Sequence, residues 1–244
     1  RGHWLAARMV LGPGGVLQDL VDWEIKPLLA PDRSAVQAPL GDAEALAAGL
    51  DGSLIVGFEQ RSRIWRYPPP PANLASPPVS IQIPPELAEA PKNGGIEALT
   101  VLPDGRILVL TEEFENPDGT FKGWLVDGGG RFDALSYQPS DGYHVTDCAA
   151  LASGDLLVLE RRYGIFGDLR SRLKLVPRER IRPGARLTGD ELLRLEPPLL
   201  TENFEGLAVH ENAASGATIY LVSDNNFLPF QRTLLLQFSL PRAR

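Results

Sequence analysis

Short apolar runs separated by turn signals dominate this chain, and they recur. One unit appears four times: Asp42-Ala43-Glu44-Ala45-Leu46 leading to Ile55-Val56-Gly57-Phe58-Glu59, then Gly95-Ile96-Glu97-Ala98-Leu99 to Leu108-Val109-Leu110-Thr111-Glu112. The third copy is Val145-Thr146-Asp147-Cys148-Ala149 to Leu157-Val158-Leu159-Glu160, and the fourth is Asn203-Phe204-Glu205-Gly206-Leu207 to Tyr220-Leu221-Val222-Ser223-Asp224. The leading acids stand 53, 50 and 58 residues apart. Each unit is two apolar runs around a turn, the pattern of a β-hairpin, with Asp51-Gly52, Asp104-Gly105 and the weaker Ser153-Gly154 as turn signals. A third strand is predicted after each hairpin, at 63–67, 123–126, 172–176 and 233–238, and a fourth in some units, at 79–83 and 134–137. Three or four antiparallel strands every ~50 residues is the period of a propeller blade.

The expectation is therefore an all-β fold, a single β-propeller domain over residues 1–244. Trp4 to Val10 reads as the third strand of a preceding unit that lacks its hairpin, so the first blade is incomplete at the N-terminus and the full count is five or six blades. Trp4, Trp65 and Trp124 share one blade position and read as inter-blade core, whereas Trp23 falls in a connection without a place in the repeat.

Register across a two-residue turn follows from the turn residues. Counting outward from the turns sets Glu44 opposite Glu59, Glu97 opposite Glu112 and Asp147 opposite Glu160. Glu205 and Asp224 are centred on Ala214-Ser215 inside a longer loop, which leaves their register open. Opposed residues have Cβ atoms about 4.5 to 5.5 Å apart, and like charges so placed repel. A bound cation, a shared proton or nearby arginines would each relieve that repulsion. Because the first strand of every blade lines the channel, Glu44, Glu97, Asp147 and Glu205 are expected to ring one mouth, with Glu59, Glu112, Glu160 and Asp224 behind them. The plainer alternative is that these acids cap loop amides.

Composition narrows the partners. The net charge is −7, with no continuous basic patch, which argues against nucleic acid. No apolar run reaches the eighteen or so residues of a membrane span. The single cysteine, Cys148, excludes an intrachain disulfide and a thiolate zinc site. Oxygen ligands without clustered histidine favour calcium or magnesium. Basic and amide residues trail the second acid of most units: Arg61, Arg161, Arg162, Asn225, Asn226 and Arg232, with His3 at the equivalent place in the incomplete unit. These suit a small anionic substrate gripped by bidentate contacts, or internal neutralisation of the acids. His144, three residues before Asp147, is a candidate acid or base at the mouth, or an exposed loop residue. The sequence contains neither a Gly-x-Ser-x-Gly elbow, nor a P-loop, nor a His-Glu-x-x-His helix, and no single residue stands out as catalytic.

The segments Gly94 to Leu99, Leu159-Glu160-Arg161-Arg162, Asn203 to Ala208, Leu221 to Phe227 and Gln231 to Leu235 resemble the phytase-like family labelled "esterase-like activity of phytase". The likeness extends over nearly the whole chain. It implies an exported bacterial protein, periplasmic or secreted and expected as a monomer, whose signal peptide and first hairpin lie outside this sequence. It also implies phosphoester or ester hydrolysis assisted by calcium held between channel carboxylates. The lysine-rich surface expected for a highly phosphorylated inositol is missing, there being four lysines. The alternative is a non-catalytic propeller that binds a small ligand or a protein.

Overall fold

The computed structural model describes residues 2–37, 40–163, 169–212 and 216–241. Strands make up nearly all regular structure there, and helix is confined to short 3-10 turns such as Pro85–Glu89. A two-stranded ribbon comes first, β1 (His3–Leu11) and β2 (Leu17–Pro27). The first blade is β3 (Ala43–Ala48), β4 (Leu54–Phe58), β5 (Arg63–Tyr67) and β6 (Val79–Ile81), joined in that order. The second is β7 (Ile96–Val101), β8 (Ile107–Glu115), β9 (Phe121–Val126) and β10 (Phe132–Tyr137). The third is β11 (His144–Ala150), β12 (Leu156–Tyr163), β13 (Leu169–Val176) and β15 (Asp190–Leu195); β14 (Arg186–Leu187), between its last two strands, crosses over to pair in parallel with β10. The fourth has three strands, β16 (Phe204–Asn212), β17 (Gly216–Ser223) and β18 (Leu235–Leu240). This four-blade propeller arrangement matches the repeat, unit for unit. The innermost strands β3, β7, β11 and β16 stand side by side in chain order.

The core lies between blades, where the facing sides of adjacent sheets pack together. Ala45, Ile55, Leu99, Val109 and Trp124 fill the first interface. Ala98, Leu108, Leu110, Cys148 and Val158 fill the second, and Leu157, Leu159, Leu207, Ile219 and Leu221 the third. The ribbon covers the outer half of the first blade, where Trp4 meets Tyr67 edge-on at 5.0 Å beside Val56, Phe58 and Trp65. All three tryptophans of the shared blade position are buried, whereas Trp23 lies exposed on β2.

The hairpin register differs from the sequence expectation by one residue. Gly49 N–H bonds Ser53 O, Leu102 N–H bonds Arg106 O and Leu151 N–H bonds Asp155 O, so each loop holds three residues rather than two. The third loop residue is Gly52, Gly105 or Gly154, each at positive φ (78°, 87° and 91°). That is a type I turn closed by a left-handed glycine, the other common hairpin that an Asp-Gly pair makes. The turn residues Ala214-Ser215 of the fourth unit lie outside the described residues.

Candidate metal centre

The one-residue shift alters which side chains reach the mouth. Toward the open end of every hairpin the inner strand carries one extra residue, a β-bulge. Ala43 pairs with Phe58 and Ala45 with Gly57, leaving Glu44 as the extra residue; Glu97, Thr146 and Glu205 hold the same place in the other three blades. The third blade therefore presents Thr146 where the others present glutamate. Asp147 sits one step further along, beside Ala45, Ala98 and Gly206 in the other hairpins.

The same offset moves the second acid. Glu59 N–H bonds Asp42 O, Glu112 N–H bonds Gly95 O and Asp224 N–H bonds Asn203 O, while in the third blade Arg161 pairs with His144. Arg161 thus occupies the position of Glu59, Glu112 and Asp224. An arginine replaces the acid in that one blade, and it reaches acids from the blades on both sides. Its Nη1 bonds Glu205 Oε1 and Asn203 Oδ1, and its Nη2 stands 3.4 Å from Glu112 Oε1.

The two acids displaced from the ring are satisfied elsewhere. Asp147 is buried, and its carboxylate accepts Leu207 N–H at 2.6 Å and Cys148 N–H at 2.8 Å, tying the third blade to the fourth. Burial pushes its pKa up, against the two amides. Glu160 is buried within the third blade, where it accepts Tyr137 Oη–H at 2.9 Å, bonds Arg172 Nε and stands 3.5 Å from Lys174 Nζ.

What remains is an acid cluster centred on the first blade. Carboxylate oxygens of Asp42, Glu44 and Glu59 all lie within 4.8 Å of one another. The Glu44 carboxyl is pushed up to about 8 by burial, then by the charge of Asp42 and a hydrogen bond to it, with Glu59 and Glu205 adding to the effect. Glu97 is held well above the ordinary range by burial and then by Glu112, Glu44 and Glu59, with Arg161 opposing. Burial also raises Glu112, against Arg161 and His144. Asp42 was missed as a ligand candidate, although it heads the first repeat two residues before Glu44 and its carbonyl bonds Glu59 N–H. Glu59 also accepts Gly95 N–H at 3.1 Å, linking the first blade to the second. Three carboxylates crowded this way suit a hard divalent cation, which takes oxygen ligands.

The candidate anion-binding residues do not gather into one patch. Arg161 is engaged with three partners. Arg162 donates to Asp141 O at 2.8 Å and lies over the Tyr143 ring, and Arg232 pairs with Glu202 at 2.7 Å. Asn225 Oδ1 accepts Phe227 N–H, and Asn226 bonds Asp224 and Gln231 within one turn. Arg61 is exposed near Arg63. His144 lies closer to the mouth, its Nδ1 3.7 Å from Glu113 Oε1. His3 lines a cavity that also contains Glu44, Asp147 and Glu205.

A family model described as phytase-like, esterase-like activity of phytase, matches residues 1–227. The chain belongs to this family. No curated protein sequence matches it. Solved structures similar to this phytase-like chain are distant. A protein of unknown function from Dyadobacter fermentans is 10% identical, with 90% of this chain and 69% of that one covered at a TM-score of 0.48. A streptogramin B lyase is 10% identical over 96% of this chain and 68% of its own, at 0.45. The Dos1 propeller is 12% identical over 84% of this chain and 48% of its own, at 0.43. Among the described residues no helix is long and apolar enough to cross a membrane.

Proposed function

We propose that this propeller is a calcium-assisted phosphoester or ester hydrolase, with Asp42, Glu44 and Glu59 holding the cation at the acidic channel mouth. The observation that carries the reading is the convergence of those three carboxylates, with Glu44 driven to about 8 by burial and then by the charge of Asp42. Bound there, calcium supplies Lewis-acid polarisation of a phosphoryl or carbonyl oxygen. Glu97, its carboxyl held well above the ordinary range first by burial and then by Glu112, Glu44 and Glu59, is the candidate proton donor beside the site. Arg161 keeps Glu112 and Glu205 in place and limits the negative charge that an anionic substrate meets. His144 stands at the rim as the group for proton transfer. Calcium is favoured over zinc because every donor is a carboxylate. The substrate is a small anion or neutral ester and not nucleic acid, given the net charge of −7. The family likeness supports a periplasmic or secreted location, and a monomer is the working state.

One observation favours a non-catalytic cation- or ligand-binding propeller instead: Arg161, Arg162 and Arg232 each bond protein partners rather than converging on an open anion seat. Turnover separates the two readings. Hydrolysis of a generic aryl phosphate or aryl ester that requires calcium and is lost in Glu44→Gln supports the enzyme. Calcium binding without turnover of either supports the binding module.

A further inference from the structure

The connection from β17 to β18, residues 224–234, leaves the fourth blade at the channel mouth and carries the two most exposed large apolar side chains among the described residues. Phe227 is 91% exposed and Phe230 76%, whereas the other described phenylalanines are buried or half-buried. Leu228 between them is exposed as well, and so are Leu199 and Leu200 on the connection from β15 to β16. Apolar rings normally leave water on folding, so a pair kept out in it calls for a cause.

Local hydrogen bonds brace this loop from end to end. Asp224 Oδ1 accepts Asn226 N–H at 2.9 Å, and Asn225 Oδ1 accepts Phe227 N–H at 3.0 Å. Leu228 N–H bonds Asn225 O, Gln231 N–H bonds Leu228 O, and Asn226 Nδ2 donates to Gln231 Oε1. Near the far end, buried Glu202 accepts both Arg232 N–H and Arg232 Nε–H. Ser223 Oγ closes the base, donating to Arg232 O and accepting Leu234 N–H. The backbone so held is strained: Asn226 and Phe227 stand consecutively at φ 48° and 56°, a left-handed conformation in which a bulky residue is an outlier. Strain of this kind concentrates where a conformation serves a binding or catalytic site.

Position and size together select the occupant. Asp224, the first loop residue, holds the ring position of the fourth blade, and its N–H bonds Asn203 O. The Asn203 side chain in turn bonds Glu205 and Arg161 at the mouth. Phe227 follows three residues later, so its Cα lies within about 11 Å of that ring position. Two phenyl rings offer about 300–500 Å², less than the ~800 Å² that each partner contributes to a specific protein interface. The net charge of −7 opposes docking on an anionic membrane. An aryl or short acyl group matches the area. We infer that Phe227 and Phe230 form an apolar subsite on the rim, which takes the aryl or acyl group of a substrate whose phosphoryl or carbonyl oxygen lies at the acid cluster. The inference rests on the hydrolase reading and narrows its substrates to esters with an apolar substituent, in preference to polyol phosphates.

Phenylphosphonate and methylphosphonate share a headgroup and resist hydrolysis, and calorimetric titration of each in the presence of calcium tests the subsite. The parent protein should bind phenylphosphonate roughly tenfold more tightly than methylphosphonate. Phe227→Ser with Phe230→Ser should remove that preference and leave both the methylphosphonate affinity and the calcium-dependent melting temperature unchanged. Equal affinities in the parent, or a phenyl preference that survives the double substitution, overturns the subsite and leaves the hydrolase reading standing. Failure of both phosphonates to bind overturns the two together. Neutral phosphatidylcholine vesicles and sedimentation at rising protein concentration supply the remaining arms. Vesicle binding or self-association that the double substitution abolishes would give the rings to a lipid surface or to a second copy of the chain, and overturns the inference.

Discussion

Glu44 is a carboxyl under pressure from its own burial and from Asp42, Glu59 and Glu205. In cation-free protein its folded pKa of about 8 lies above the ordinary value of 4.5, so the folded state holds the proton more tightly than the unfolded state. Stability from this group is complete below pH 4.5 and falls as the pH rises toward 8. Glu97 and Glu112 are shifted in the same direction. The melting temperature of chelator-treated protein should therefore decline between pH 5 and pH 8, and Glu44→Gln should flatten part of that decline; a flat profile in the parent protein would contradict the assignment. Arg161 makes the opposite contribution. Removing one partner of a largely buried charge cluster leaves the others uncompensated, so Arg161→Gln should cost roughly 2–4 kcal/mol in urea unfolding at pH 7. The cost should shrink at pH 5, where Glu112, its pKa raised first by burial, can take up a proton instead. Of the cluster, Glu44, Glu59 and Glu97 were legible as strand-end acids in the repeat. Asp42 was not, because a two-residue turn sets Glu44 opposite Glu59 and leaves Asp42 without an acid across from it.

The hairpin is the element on which sequence and structure part company, by a single residue. Asp-Gly serves both the two-residue turn and the three-residue turn with a left-handed glycine, so the sequence signal is the same for both. The bulge then absorbs the difference near the open end, which is why Glu44 and Glu59 still meet although they are not directly opposed. The third repeat has the same bulge, at Thr146, but its acids Asp147 and Glu160 each stand one step nearer the turn, so that Thr146 and Arg161 hold the ring positions. Two acids at nearly the right spacing concealed the substitution of a threonine and an arginine, and only strand pairing separates them. The turn assignment has its own check. Gly105 has φ 87° and open space where a side chain would go, so Gly105→Ala should cost roughly 1 kcal/mol by urea unfolding, from backbone strain alone. No loss would contradict the left-handed conformation of Gly105.

Across the whole molecule the four blades were legible because each unit repeats the same hairpin and third strand, and the buried tryptophans confirm the blade position. The place of the ribbon was legible only in part: Trp4 marked a third strand, while β2 and the exposed Trp23 had no counterpart in the repeat. The asymmetry of charge around the channel could not be read from one-dimensional spacing. Arg161 neutralises the side of the ring shared by the second and fourth blades, which leaves the first blade as the acidic pole. That pole is the central claim, and a thermal melt with added calcium tests it most directly. Calcium should raise the melting temperature of the parent protein at pH 7.5, chelator should reverse the rise, and Glu44→Gln with Glu59→Gln should abolish it. A parent melting curve that is the same with calcium and with chelator would contradict a cation site at Asp42, Glu44 and Glu59.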